Sequence, residues 1–144
     1  MKRKFGRKNK HRSQMLKNLA ISVLIYEKVT TTKARAKEVR ALVDKAINIA
    51  KKNDLAARRN LLNLFLQNKN VVNKLINDLA PRLKDTKSGY AKLYNISPRV
   101  GDNAPRVTII LSKSKFLNNL TPEIKEKPEE NIVKPEEAKT KKDK

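Results

Sequence analysis

Seven cations stand within the first twelve residues, MKRKFGRKNKHR: Lys2, Arg3, Lys4, Arg7, Lys8, Lys10 and Arg12. Lys17 follows, and no carboxylate precedes Glu27. Side chains of this type at this density neutralise phosphates. The run has one aromatic, Phe5, and no apolar spacing that could bury anything. Self-repulsion and backbone entropy oppose its folding alone. It is therefore expected to order only against a dense negative surface, and nucleic acid is the densest a cell offers. A solvated tail that merely aids solubility is the competing reading.

Further cations recur at a spacing that shares a surface. Lys33, Lys37 and Arg40 lie at i, i+4 and i+7, one face of a helix. Arg58 and Arg59 are presented together, and Arg99 sits in a polar loop where it can meet phosphate. On a neutral protein such a ridge would read as an ordinary solvated face. Here it reads as an extension of the basic arm.

Other chemistry is poorly supplied. His11 is the one histidine, set among cations, and suits stacking or phosphate donation better than catalysis. There is no cysteine, which excludes disulfides, thiolate zinc sites and cysteine nucleophiles. Asp85 and Asp102 could pair for acid–base or metal-dependent nuclease work, but two acids amid this much positive charge read as salt-bridge or turn partners. One carboxylate in GDNAP does not make a calcium loop. No P-loop, dinucleotide fingerprint or nucleophile elbow occurs. The expectation is a non-enzyme without metal or cofactor.

The charge balance agrees. The chain of 144 residues has 35 Lys plus Arg against 14 Asp plus Glu, a net charge of +21. From Thr121 onward there are seven Lys and seven acids, so the whole excess lies before that point. Such a surface repels itself and binds polyanions. No apolar run approaches the ~20 residues of a membrane span, and the basic start lacks the apolar core of a secretory signal. The expected location is the cytosol.

One domain with two tails must position these groups. Residues 1–12 form the arm, 13–116 a globular α+β domain, and 117–144 a Lys/Glu/Pro-rich tail expected to be disordered. Ser13 is a candidate cap for a helix whose face is Met15, Leu16, Leu19, Ala20, Val23 and Leu24. EKVTTT, 27–32, suits a short strand, with Thr31 or Thr32 capping a long helix over 33–52. Its core stripe is Val39, Leu42, Val43, Ala46, Ile47 and Ala50. Asn53-Asp54 recaps a third helix with Leu55, Leu62, Phe65 and Leu66 inward. A fourth runs from about Asn70, with Val72, Leu75, Ile76 and Leu79 on one side, and ends at Pro81. YAKLYNI and VTIIL read as two strands joined by the loop SPRVGDNAP. Two strands alone are marginal, so the sheet must recruit the segment near Val29.

Several segments, in order, resemble one family: HR at 11–12, NLA at 18–20, TTKARAKEVR at 31–40, ARR at 57–59 and LAPRLKDTKSGYAKLYNISPRVGDNAP at 79–105. This pattern, covering about residues 5–112, is similar to bacterial ribosomal large-subunit protein seventeen. Ser88 departs from it, standing where a glycine is usual. The resemblance implies a two-layer fold of one helix, a strand, three helices and two strands, here taken to form a small mixed sheet. It implies binding of large-subunit ribosomal RNA without catalysis, near the exit side for the nascent chain, beside protein thirty-two. It maps RNA contacts to the arm with His11 and Arg12, to Lys33, Lys37 and Arg40, to Arg58 and Arg59, and to Arg82, Tyr90 and Arg99. A nucleoid-type DNA-binding protein is the alternative on charge alone, but no dimerisation surface or recognition helix is evident. A membrane-surface helix would need an apolar face left free, and these faces are needed for the core.

Overall fold

The β-branched run after Glu27 forms strand β1 (Lys28–Thr32), flanked by helix α1 (Asn9–Tyr26) and helix α2 (Lys33–Ala50). These bounds come from a computed structural model that describes residues 3–114. Helix α3 (Leu55–Leu64) and a segmented fourth helix follow, then strands β2 (Ala91–Ile96) and β3 (Arg106–Leu111). The tail beyond 114 and its expected disorder lie outside the described residues, as do Lys2 and the expected domain boundary at 116.

The three strands pair in the order β1-β3-β2. Val29 faces Ile109 on one side of β3, and Leu93 faces Ile109 on the other. Both pairings are antiparallel, so the sheet is not mixed. β1 and β2 do run the same way, but β3 inserts between them, and a parallel ladder would need them adjacent. Val107, Ile109 and Leu111 face the helices and join Ala20, Val23 and Leu24 of α1 and Val39, Val43 and Ile47 of α2 in one core.

Several local expectations change. Helix α1 starts at Asn9, with Lys8 in the N-cap position making no side-chain cap, so Ser13 lies inside it and Lys10, His11 and Arg12 belong to its first turn. Once the apolar part is packed, adding a turn needs no new nucleus. The chain before it turns at Phe5-Gly6, and Arg12 Nη1 donates back to the Arg3 carbonyl at 3.3 Å. Thr32 is the N-cap of α2 but makes no side-chain cap; the Lys33 N–H donates instead to the Pro105 carbonyl at 3.0 Å. On α3 the buried face is Ala57 and Leu61, with Phe65 following, while Leu55 and Leu66 are 62% and 49% exposed. Leu55 is the first residue after the Asp54 cap, and Leu66 takes a left-handed backbone in the turn beyond the helix, so neither keeps the helical phase.

Pro81 does not end the fourth helix. It runs as α4 (Lys69–Lys74), a π-helical turn (Leu75–Leu79) and a last turn α5 (Ala80–Arg82). Within it Ala80 donates to the Leu75 carbonyl, five residues back. A wider turn relieves the clash between a proline ring and the carbonyl four residues earlier. The detour carries the chain on to Arg82 while Leu75, Leu79 and Leu83 stay buried.

Candidate nucleic-acid interface

One face of α2 carries two different groups of side chains. Its N-terminal half presents Lys33, Lys37 and Arg40, all exposed. They make no ion pair among the described residues. The same face continues as Asp44, Asn48 and Lys51, and these three hold Tyr90. The Asp44 carboxylate accepts from the Tyr90 N–H at 3.1 Å. The Tyr90 hydroxyl lies 2.6 Å from Asn48 Oδ1 and 2.8 Å from the Lys87 carbonyl, and Lys51 Nζ donates to it at 2.8 Å. Lys51 also donates to the Thr86 carbonyl. With the Lys33–Pro105 bond at the far end, α2 is tied at both ends to the β2–β3 hairpin. The cation ridge is thereby fixed beside the sheet.

Tyr90, expected at the surface, is fully buried, its hydroxyl engaged and its ring under Lys51, so in the free protein it ties α2 to the hairpin. It lies one residue before β2, where a strand-alternation pattern is uninformative about a side chain enclosed by a helix and the 86–89 turn.

Arg82 is also drawn into the body of the protein. Its Nη2 donates to Glu27 Oε1 at 2.7 Å, and Lys74 Nζ lies 3.2 Å from the same oxygen. Glu27 is nearly buried, in a left-handed conformation between α1 and β1. Burial pushes its carboxyl up, but the bonds from Arg82 and Lys74 outweigh that, leaving it below the ordinary glutamate range. Lys74 also donates to the Ile25 carbonyl at 2.6 Å. Arg82 thus joins the fourth helix to the α1–β1 junction and is only partly accessible to a partner.

Arg99 is exposed but clamped. Its guanidinium forms a two-pronged pair with Asp102, Nε to Oδ1 at 3.0 Å. That hydrogen bonding, with the Ala104 N–H donating to the same carboxylate, pulls Asp102 down to about 2 and raises Arg99. Gly101 turns the loop at φ +105, a left-handed backbone with open space where a side chain would stand. The requirement there is conformational. Asp85 is held by Lys113 at 3.0 Å, which lowers its pKa. Asp85 and Asp102 are thus engaged in separate pairs.

The cations of the arm and of α3 lie at the surface. Arg3, Lys4, Arg7, Lys8, Lys10 and His11 are exposed on the arm and the first turn of α1, with Arg12 half-buried. Arg58 and Arg59 are exposed on α3, and Arg58 donates to Asn73 Oδ1 at 2.6 Å. Arg35, exposed beside the α2 ridge, and Lys45, on the groove between α1 and α2, were not singled out from the sequence. The groove holds about 370 Å³ and brings Lys45 together with Arg3, Arg12 and Lys17. Glu38 lines the same groove, and no spacing rule links an arm residue to Lys45, because their proximity depends on how α1 and α2 pack. Among the described residues no group of three or more His, Cys, Asp or Glu is placed to hold a metal, and no helix is long and apolar enough to cross a membrane.

A family model described as ribosomal protein L17 matches residues 15–112. A large ribosomal subunit protein bL17 from Syntrophotalea carbinolica is 40% identical over 131 residues, covering 91% of this chain and 81% of the relative. Proteins of the same name from Desulfitobacterium hafniense and Caldanaerobacter subterraneus are 48% and 46% identical over 109 residues. Those matches cover 76% of this chain and 96% of each relative.

Proposed function

This chain belongs to the ribosomal protein L17 family, structural and non-enzymatic proteins of the large ribosomal subunit, and we propose that it holds folded large-subunit ribosomal RNA by neutralising its phosphates. Its place is in the ribosome, in the cytoplasm. The reading puts it towards the side where the nascent chain emerges, next to other ribosomal proteins including protein thirty-two.

Unneutralised charge on a rigid frame carries this reading. The ion pairs among the described residues engage Lys74, Arg82, Arg99 and Lys113, and leave the arm, the α2 ridge and Arg59 unpaired. The domain supplies preformed cations in Lys33, Lys37 and Arg40 on α2 and in Arg58 and Arg59 on α3. The arm supplies further cations, three of its residues already on the first turn of α1, that displace condensed counterions. Contacts of this kind read backbone shape more than base sequence. A salt titration on large-subunit ribosomal RNA tests it. Log affinity should fall against log salt with a slope of about −0.7 to −0.9 per phosphate neutralised; a slope near zero would mean that charge does not drive binding.

A further inference from the structure

The sheet has a second face, turned away from the helices. Strand register puts Lys28, Ile110 and Lys92 in one row across it, Thr30, Thr108 and Tyr94 in the next, and Thr32, Arg106 and Ile96 in the third. The 3.1 Å contact between the Thr30 and Thr108 hydroxyls confirms the shared side. None of these nine positions is a carboxylate and three are cations. Lys92 is exposed, Tyr94 is half-buried, and Ile96 is 38% exposed. Arg106 is half-buried, anchored by its Nε on the Ser97 carbonyl at 3.0 Å.

Resting on the ribosomal RNA reading above, we propose that this face is a separate seat for unpaired RNA nucleotides, with a base stacked on Tyr94 and phosphates taken by Lys92 and Arg106. Charge complementarity selects the polyanion: the outer rows are cationic and about 13 Å apart, four residues along β3 at about 3.3 Å each. The aromatic in the middle row selects the conformation. A duplex hides its base faces in its own stack, whereas an unpaired nucleotide presents one. Thr108 and Ile110 of β3 are buried, so the accessible part of this face is the β2 edge with Lys92, Tyr94 and Ile96. The helix layer lies on the opposite side of the sheet, so this seat and the α1–α2 groove do not compete. The protein would clamp an unpaired strand on one side while its arm holds folded RNA on the other.

The test uses the full chain with two probes, an eight-nucleotide oligouridylate and a blunt RNA duplex. Tyr94→Leu should weaken oligouridylate binding about 5- to 100-fold, the effect of losing one stacked base, with the salt slope and duplex affinity unchanged. Tyr94→Phe should restore binding. Lys92→Gln, an exposed change that the fold tolerates, should lower the oligouridylate salt slope by about 0.7. Wild-type affinity in both Tyr94→Leu and Lys92→Gln overturns the proposal. A lower melting temperature in Tyr94→Leu with unchanged oligouridylate affinity also overturns it, and would mean that the chain covers this face itself. Failure of the ribosomal RNA reading is a distinct result: loss of the salt slope on folded ribosomal RNA with the Tyr94-dependent oligouridylate binding intact.

Discussion

Lys51 Nζ donates to the Tyr90 hydroxyl at 2.8 Å and stands 4.5 Å from the centre of the same ring. A cation near the end of α2 is thus engaged with a buried aromatic at the start of β2, and the four residues Asp44, Asn48, Lys51 and Tyr90 set the angle at which the Lys33–Lys37–Arg40 ridge meets the hairpin. The hydroxyl group is structural. Tyr90→Phe should lower stability by about 1–2 kcal/mol, the usual cost of a lost buried hydrogen bond, and thermal denaturation would show it as a drop of roughly 4–15 °C. Affinity for ribosomal RNA, measured well below the melting point, should stay within twofold of wild type. A large loss of affinity at unchanged stability would return Tyr90 to the RNA contacts.

Glu27 predicts a pH dependence of stability. Its carboxyl lies below its ordinary value of 4.5 because Arg82 and Lys74 outweigh the effect of burial. A group depressed on folding stabilises the native state above its unfolded pKa, and that contribution fades as pH falls through the folded value. Glu27→Gln should therefore be less stable than wild type at pH 7, and the gap should close on acidification below about pH 4.5. Arg82→Met should cost about 2–3 kcal/mol at neutral pH, because Glu27 is left nearly buried with Lys74 alone. Urea unfolding of the three proteins from pH 3 to pH 7 supplies both numbers; a gap that widens in acid would contradict the assignment.

Much of this could be read from residue types. The α2 stripe, the recruitment of the segment near Val29 into the sheet, and the separate roles of Asp85 and Asp102 follow from periodicity and charge context. What escaped depends on contacts made across the fold. Pro81 reads as a stop because local sterics say so, and only the π turn upstream lets the helix pass. Leu55 and Leu66 are apolar residues beside a helical stripe, yet each sits where the helix is starting or has ended. Resemblance alone puts Arg82 and Tyr90 on the RNA side; the side chains they bond in the fold, Glu27 and the Asp44–Asn48–Lys51 run, lie 55 and 39–46 residues away.

The start of α1 at Asn9 divides the described arm into a non-helical segment and a helical turn. Removing residues 1–8 deletes Lys2, Arg3, Lys4, Arg7 and Lys8 and leaves that turn in place. The melting temperature should move by less than about 2 °C, since none of the described residues 3–8 is fully buried. RNA binding should weaken strongly and its salt slope should shrink by up to about 4, from five phosphate partners removed. Removing residues 1–12 should in addition lower the melting temperature, because the first helical turn goes with it. Equal stability losses for the two truncations would show that the Phe5-Gly6 turn, and not the helix, is what the arm contributes to the fold.

Arg99 and Asp102 face a choice between each other and RNA. The pair holds the loop in the free protein: Arg99 N–H bonds the Ala104 carbonyl at 3.0 Å, and the Ala104 N–H returns to Asp102 Oδ1 at 3.2 Å. Asp102→Asn removes the negative charge and keeps the shape. With its counter-charge gone, Arg99 is free to meet phosphate, so affinity for RNA should rise severalfold and the salt slope should steepen by about 0.7–0.9. Loop order should fall at the same time, read as faster hydrogen exchange at the Arg99 and Ala104 amides. The pH behaviour separates this from a general charge effect. Asp102 titrates at about 2 in the folded chain against an ordinary value of 3.8, so the wild-type loop should stay protected down to about pH 3 and loosen only as pH approaches 2. In Asp102→Asn, exchange at those amides, corrected for its intrinsic pH dependence, should be flat over the same range. If the variant gains no affinity while its loop loosens, Arg99 serves the loop alone and is not an RNA contact.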